Sequence, residues 1–112
     1  MIRDFSGRNY FISGAAKGLG AAIAKGLAEC GATVGIADID GPSLRETEAA
    51  IRSAGGNVFA RETDLSRQAA YHAVTDSFAN MAGGIDGVIN NASYLVYEPL
   101  EEIQEATVDK MI

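Results

Sequence analysis

Short apolar runs alternate along the chain with longer stretches whose apolar residues recur at helical spacing. Asn9 to Ser13 (Asn-Tyr-Phe-Ile-Ser) predicts a first strand, with either Tyr10 or Phe11 pointing inward. Leu19 to Cys30 predicts a helix whose Leu19, Ile23 and Leu27, four apart, form one face, with Gly31 as its stop. Thr33 to Asp38 predicts a second strand. Pro42 to Ala54 predicts a second helix, with proline in the first turn, Leu44, Thr47 and Ile51 on the inner face, and Gly55-Gly56 as its end. Val58 to Glu62 predicts a third strand. Asp64-Leu65-Ser66 forms a turn in which Ser66 is the expected N-cap of a third helix running to about Met81. The apolar stripe of that helix is Ala70, Val74, Phe78 and Met81, and Gly83-Gly84 stops it. Gly87 to Asn90 predicts a fourth strand, and Pro99 to Ile112 a fourth helix.

Strands alternating with helices across connections of a few residues predict an α/β fold, a parallel sheet wound by right-handed crossovers. No repeat, linker or composition shift divides residues 1–112, so a single domain is expected. With 112 residues and 47% hydrophobic content the chain is long and apolar enough for a packed core.

A net charge of −6 argues against nucleic acid as a partner, because phosphate binding needs a basic face. The single cysteine, Cys30, reads as a small buried or half-buried helix residue. No signal peptide and no apolar run of membrane-spanning length is visible, so the expectation is a soluble, cytoplasmic protein without a membrane partner. His72, the one histidine, has no nucleophile or metal partner at matching spacing, and no metal site is expected.

The candidate chemistry lies at Ser13 to Gly20, Ser-Gly-Ala-Ala-Lys-Gly-Leu-Gly. Gly14, Gly18 and Gly20 fall where the chain leaves a strand and enters a helix. Unpaired N–H groups and the positive end of the helix dipole there suit a pyrophosphate. Leu19 belongs to the same loop. Lys17 reads equally as a solvated turn residue or a phosphate contact; no Gly-Lys-Ser/Thr follows, so it is not a phosphate-loop lysine. Asp38 closes the second strand 18 residues after Gly20, where a carboxylate can accept hydrogen bonds from a ribose, and Ile39 follows it into the same candidate site. The Asp38 charge would repel a 2′-phosphate. Two unit charges about 4 Å apart at an effective dielectric near 20 cost roughly 4 kcal/mol, which favours NAD over NADP. Asp40 reads as a solvated turn residue.

These motifs resemble the N-terminal part of the short-chain dehydrogenase/reductase family. Three of that family's motifs occur in order: the glycine segment, with Ser13 where the family usually has threonine; Asp64-Leu65 after the third strand; and Asn90-Asn91-Ala92-Ser93 after the fourth, with Ser93 in place of the usual glycine. Pro99-Leu100-Glu101-Glu102 also matches the family's continuation. The resemblance implies a Rossmann-type doubly wound sheet, of which the first four strands are present in the order 3-2-1-4. It implies NAD as cofactor, with NADP disfavoured, and a small-molecule substrate, an alcohol or carbonyl, for the intact parent. It also places Asp64 and Leu65 against the adenine ring. Asn90 would tie neighbouring strands, and Asn91 and Ala92 would face the cofactor. A homo-oligomer is left open for the parent.

The family's acid/base tyrosine, with a lysine four residues on, has no match. Tyr10, Tyr71, Tyr94 and Tyr97 are followed at that spacing by Gly14, Thr75, Glu98 and Glu101. Lys110 lies too far from any tyrosine to serve. No catalytic residue is therefore assigned. The chain is expected to be an N-terminal cofactor-binding portion without dehydrogenase activity of its own. The alternatives are a non-catalytic dinucleotide-binding or regulatory module, or a decayed gene fragment. An apolar edge containing Val88 and Ile89 is expected on the fourth strand.

Overall fold

The computed structural model describes residues 4–91. The elements, in chain order, are β1 (Asn9–Ser13), α1 (Gly18–Glu29), β2 (Thr33–Asp38), α2 (Gly41–Ser53), β3 (Asn57–Glu62), α3 (Gln68–Ala82) and β4 (Gly87–Asn90). The four strands form one parallel sheet in the order β3-β2-β1-β4. The register runs Asn9 opposite Thr33 to Ser13 opposite Ala37, and Tyr10 opposite Gly87 to Ser13 opposite Asn90. The expected fourth helix, and with it Ala92, Ser93, Tyr94, Tyr97 and Lys110, lies outside the described residues.

The topology distributes the helices. The path from β1 through β2 to β3 steps in one direction, whereas β3 to β4 returns across the sheet. Right-handed crossovers then put α1 and α2 on one face and α3 on the other. The two cores differ accordingly. Beneath α1 and α2, Ile12, Val34, Ile36 and Val58 of the sheet meet Ala24, Ala28, Leu44 and Ile51. Beneath α3, Phe11 and Phe59 meet Val74 and Phe78. Phe78 is fully buried, its ring centroid 5.8 Å from that of Phe59 and 6.1 Å from that of Phe11.

Two of the predicted helix faces are corrected. In α1 the buried positions are Gly20, Ala21, Ala24 and Ala28, while Leu19 is 67% exposed and Ile23 and Leu27 pack only at the flank. Small residues let the helix axis approach the sheet, and bulkier side chains are displaced to its sides. In α3, Val74 and Phe78 are buried but Met81 is 53% exposed. Ala82, four residues after Phe78, packs at the edge of that cluster instead, as helical spacing favours. α2 follows its predicted stripe, with Leu44, Thr47 and Ile51 all buried. Cys30 is half-buried at the end of α1. Of the β4 residues expected to form an apolar edge, Val88 is exposed, whereas Ile89 is half-buried against the core under α1 and α2.

Candidate functional site

β1 is flanked by β2 on one side and β4 on the other, so successive connections leave it in opposite directions. In an open α/β sheet this divergence opens a crevice at the carboxyl ends of the strands. The glycine segment sits there, directly after β1.

The backbone conformation accounts for two of its glycines. Gly14 and Gly18 have φ of +67° and +62°, a region that side chains with a Cβ rarely enter. Gly20 is required for a different reason: a Cβ there would collide with the Gly14 carbonyl and come within 2.8 Å of Asn91 Nδ2. Helix α1 thus starts hard against the loop that precedes it.

The loop is braced from three directions. The Gly14 and Ala15 N–H groups both donate to the Ala37 carbonyl of β2, at 2.9 and 3.4 Å. Asn91 Nδ2 donates to the Gly14 carbonyl at 3.1 Å. Ala16 donates its N–H to Asp38 Oδ2 at 3.0 Å and accepts from the Thr47 hydroxyl at 3.0 Å. The other Asp38 oxygen accepts from the Asp40 N–H at 3.0 Å. A carboxylate has about four lone-pair directions, so acceptor capacity remains on Asp38 after these two bonds.

Ser13 ends β1 and is fully buried. Its hydroxyl donates to Asn90 Oδ1 at 2.8 Å and accepts from the Asn91 N–H at 2.9 Å, so it fastens the ends of β1 and β4 together. The strand-tying contact expected of Asn90 is thereby present in the structure.

The N-terminus of α1 is open. Lys17 at the N-cap position is extended and makes no side-chain cap, and the first turn carries no acidic residue. The amide N–H groups of a helix's first turn have no partner within the helix, and their dipoles point outward. Lys17 itself is largely exposed and pairs with Asp40 at 3.3 Å. Asp40 is therefore not merely a solvated turn residue. It caps α2, accepting from the Ser43 N–H at 3.2 Å. That bond in the first place, and then the Ser43 side chain and Lys17, hold its carboxyl below the ordinary aspartate value of 3.8. Asp-Gly-Pro directly after a strand is the sequence signal that could have revealed the cap.

The other positions singled out in the sequence lie on neighbouring elements. Ile39 is 62% exposed beside Asp38. Asp64 Oδ1 accepts from the Ser66 N–H at 3.1 Å and the Ser66 hydroxyl at 2.6 Å, which closes the turn after β3. Ser66 is thus tied back to Asp64 rather than capping α3, whose N-cap is Arg67 without a side-chain bond. Leu65 packs at the edge of the aromatic cluster. Tyr71 stands edge-on to Phe11, and partial burial pushes its phenol above the ordinary value. His72 is exposed. Among the described residues no helix is long and apolar enough to cross a membrane. Ala92 lies outside them. Thr47, read from the sequence only as a core position, is the loop contact that sequence reasoning missed.

The donor set fits the pyrophosphate of a dinucleotide: uncapped helix amides, a glycine cradle that excludes any Cβ at Gly20, and no carboxylate in the first turn.

The chain matches the family model described as short chain dehydrogenase over residues 8–112. It is 36% identical over 91 residues to the CLA biosynthesis dehydrogenase/reductase of Lactiplantibacillus plantarum, covering 81% of this chain and 32% of that protein. It likewise spans 34% to 38% of the length of three further curated relatives. The short-chain dehydrogenase/reductase homolog YusS of Bacillus subtilis is 31% identical over 99 residues, with 88% of this chain and 91% of that protein covered. A metagenomic short-chain oxidoreductase, solved in complex with NADP, superposes with a TM-score of 0.78 at 34% identity, covering 95% of this chain and 48% of that one.

Proposed function

The chain belongs to the short-chain dehydrogenase family, and from that premise we propose that Gly14 to Gly20 hold the pyrophosphate of a nicotinamide dinucleotide at the N-terminus of α1. The observation that carries this reading is the missing cap. The helix opens without side-chain or acidic compensation, at the divergence point of the sheet, behind a loop held by Asp38, Thr47 and Asn91.

In this reading the amides of Gly18, Leu19 and Gly20 receive the pyrophosphate, and Lys17, exposed at the N-cap, can exchange its Asp40 partner for a phosphate. Asp38 and Ile39 border the adenosine ribose, Asp64 and Leu65 the adenine, and Asn91 with Ala92 the nicotinamide side. A bound nicotinamide supplies or accepts hydride, and the residues of this chain bind and orient it. In a protein of the relatives' full length the reaction is hydride transfer between the nicotinamide and an alcohol or carbonyl. No tyrosine here is followed four residues later by lysine. The chain alone is accordingly expected to bind cofactor without turning it over.

NAD is preferred to NADP. Asp38 places a carboxylate at the end of β2, where a 2′-phosphate would meet like charge. The lysine that could offset that charge is already paired with Asp40. The NADP-bound relative makes NADP the appropriate competitor. Titration calorimetry of the chain with each dinucleotide tests both points. Binding with NAD tighter than NADP is expected; NADP binding more tightly removes the role given to Asp38, and no binding of either removes the proposal.

A second reading has one observation in its favour. YusS is matched over 91% of its own length, so a relative of similar size exists. A dinucleotide-binding module without the catalytic half would suit both chains. NADH oxidation by the purified chain, above a heat-denatured control, would exclude it.

A further inference from the structure

Thr47 is the buried polar side chain on the inner face of α2. It is 2% exposed and lies between Leu44 and Ile51, a position where apolar packing alone would be served by valine. Its hydroxyl has one proton and two acceptors in view, the Ala16 carbonyl at 3.0 Å and the Ser43 carbonyl at 3.5 Å. The shorter distance assigns the proton to Ala16. That carbonyl belongs to a residue only 5% exposed, so it has little access to water as a substitute.

The consequence lies one atom further along. A trans peptide is planar, and its C=O and N–H point in opposite directions. When Thr47 draws the Ala16 carbonyl inward to α2, the Lys17 N–H is turned away from the core. The same residue is held at its other end, where the Ala16 N–H is fixed by Asp38. With both ends of Ala16 bonded, the peptide leading into α1 has little freedom to rotate.

We propose that Thr47 is a positioning residue for the dinucleotide loop: through the Ala16 carbonyl it aims the Lys17 N–H outward, adding a donor to those at the start of α1. The inference rests on the functional reading above, and two measurements on the whole chain separate their failures. The first is hydrogen exchange without ligand. Thr47→Val keeps the side-chain shape, removes the donor and leaves a buried carbonyl unpaired. Faster exchange at the Ala16 amide is expected in Thr47→Val and not in Thr47→Ser, in variants that both melt cooperatively. The second is NAD affinity, expected to fall roughly tenfold in Thr47→Val, in line with the loss of one buried hydrogen bond. In Thr47→Ser it should stay within about twofold, because the hydroxyl is restored. A core-packing role alone would be served by Thr47→Val and weakened in Thr47→Ser, which lacks the methyl group, so its losses would not follow the hydroxyl.

Equal exchange and equal affinity in Thr47→Val and the parent would overturn the proposal, as would equal losses in the two variants. A parent chain that binds no dinucleotide, but shows the exchange difference, contradicts the functional reading and leaves the hold on Ala16 standing.

Discussion

α1 and α2 begin in the same setting, each just beyond the carboxyl end of a parallel strand, yet their first turns are opposites. α2 is closed: Asp40 accepts from Ser43, and Pro42 in the first turn brings no N–H that needs a partner. α1 is open: Lys17 provides no cap, no acidic side chain follows it, and glycines line the approach. A cap would stabilise α1 by satisfying its free amides, and the sequence withholds it. An anion site can thus be built from helix amides that no side chain caps, with the loop held by outside braces. Those braces are Asp38 and Thr47 on Ala16, Asn91 on Gly14, and Ser13 between β1 and β4.

The contrast can be broken most severely at Gly20. Gly20→Ala forces a Cβ into the Gly14 carbonyl, so α1 must move away from its loop. Overpacking of this kind costs about 1–3 kcal/mol. Dinucleotide binding should be lost outright, read by calorimetry beside a thermal melt. Removing the aromatic anchor on the far face provides a control with a larger energetic cost. Phe78→Ala should cost about 3–5 kcal/mol, as large-to-small core substitutions do. Any Phe78→Ala chain that remains folded should keep the preference for NAD over NADP, because Phe78 lies in the aromatic core under α3, on the sheet face away from α1 and Asp38.

A more selective change closes α1 in the manner of α2. Leu19 is exposed in the first turn, so Leu19→Asp adds a carboxylate without disturbing the core. The dipole interaction should stabilise the folded chain by about 0.3–1 kcal/mol. The same charge should weaken NAD binding, while Leu19→Asn should weaken it far less. Opposite signs in melting temperature and affinity would identify the free amides as the binding element.

The smallest expected effect is at Asp40. Its carboxyl is held below 3.8 by the Ser43 amide first and by Lys17 last. A group with a lowered folded value stabilises fully above its unfolded value, here near 3.8, and loses that contribution as pH falls through the lowered one. Thermal melts across that acid range should show a modest decline. Asp40→Asn, whose amide oxygen can cap at any pH, should show a smaller decline, because the Asp4 carboxyl, also held down by its Ser6 hydrogen bonds, still contributes.

Much of this was legible in the sequence. The strands are short apolar runs between glycines and turn residues, and their bounds agree with the structure to within a residue. The resemblance to a known family also supplied the strand order. The face of α1 was not legible, because apolar size points to Leu19, Ile23 and Leu27, whereas close approach to the sheet selects Gly20, Ala21, Ala24 and Ala28. Met81 was misplaced for a related reason: spacing allowed it a place on the inner face, but Ala82 continues that stripe past Phe78. Thr47 read as a core residue, since periodicity reports that a side chain faces inward and says nothing about its hydrogen bond. Ser66 satisfied the composition of a cap, but the Asp64 carboxylate two residues earlier took its N–H and hydroxyl.

If the open end of α1 receives the pyrophosphate, an amide NMR titration of the chain with NAD will show it. The largest shifts should fall at Gly18, Leu19 and Gly20, with little change at Gly31, Gly55 and Gly83 on the opposite end of the sheet. Saturable binding whose shifts avoid the start of α1, or no binding at all, would contradict the account.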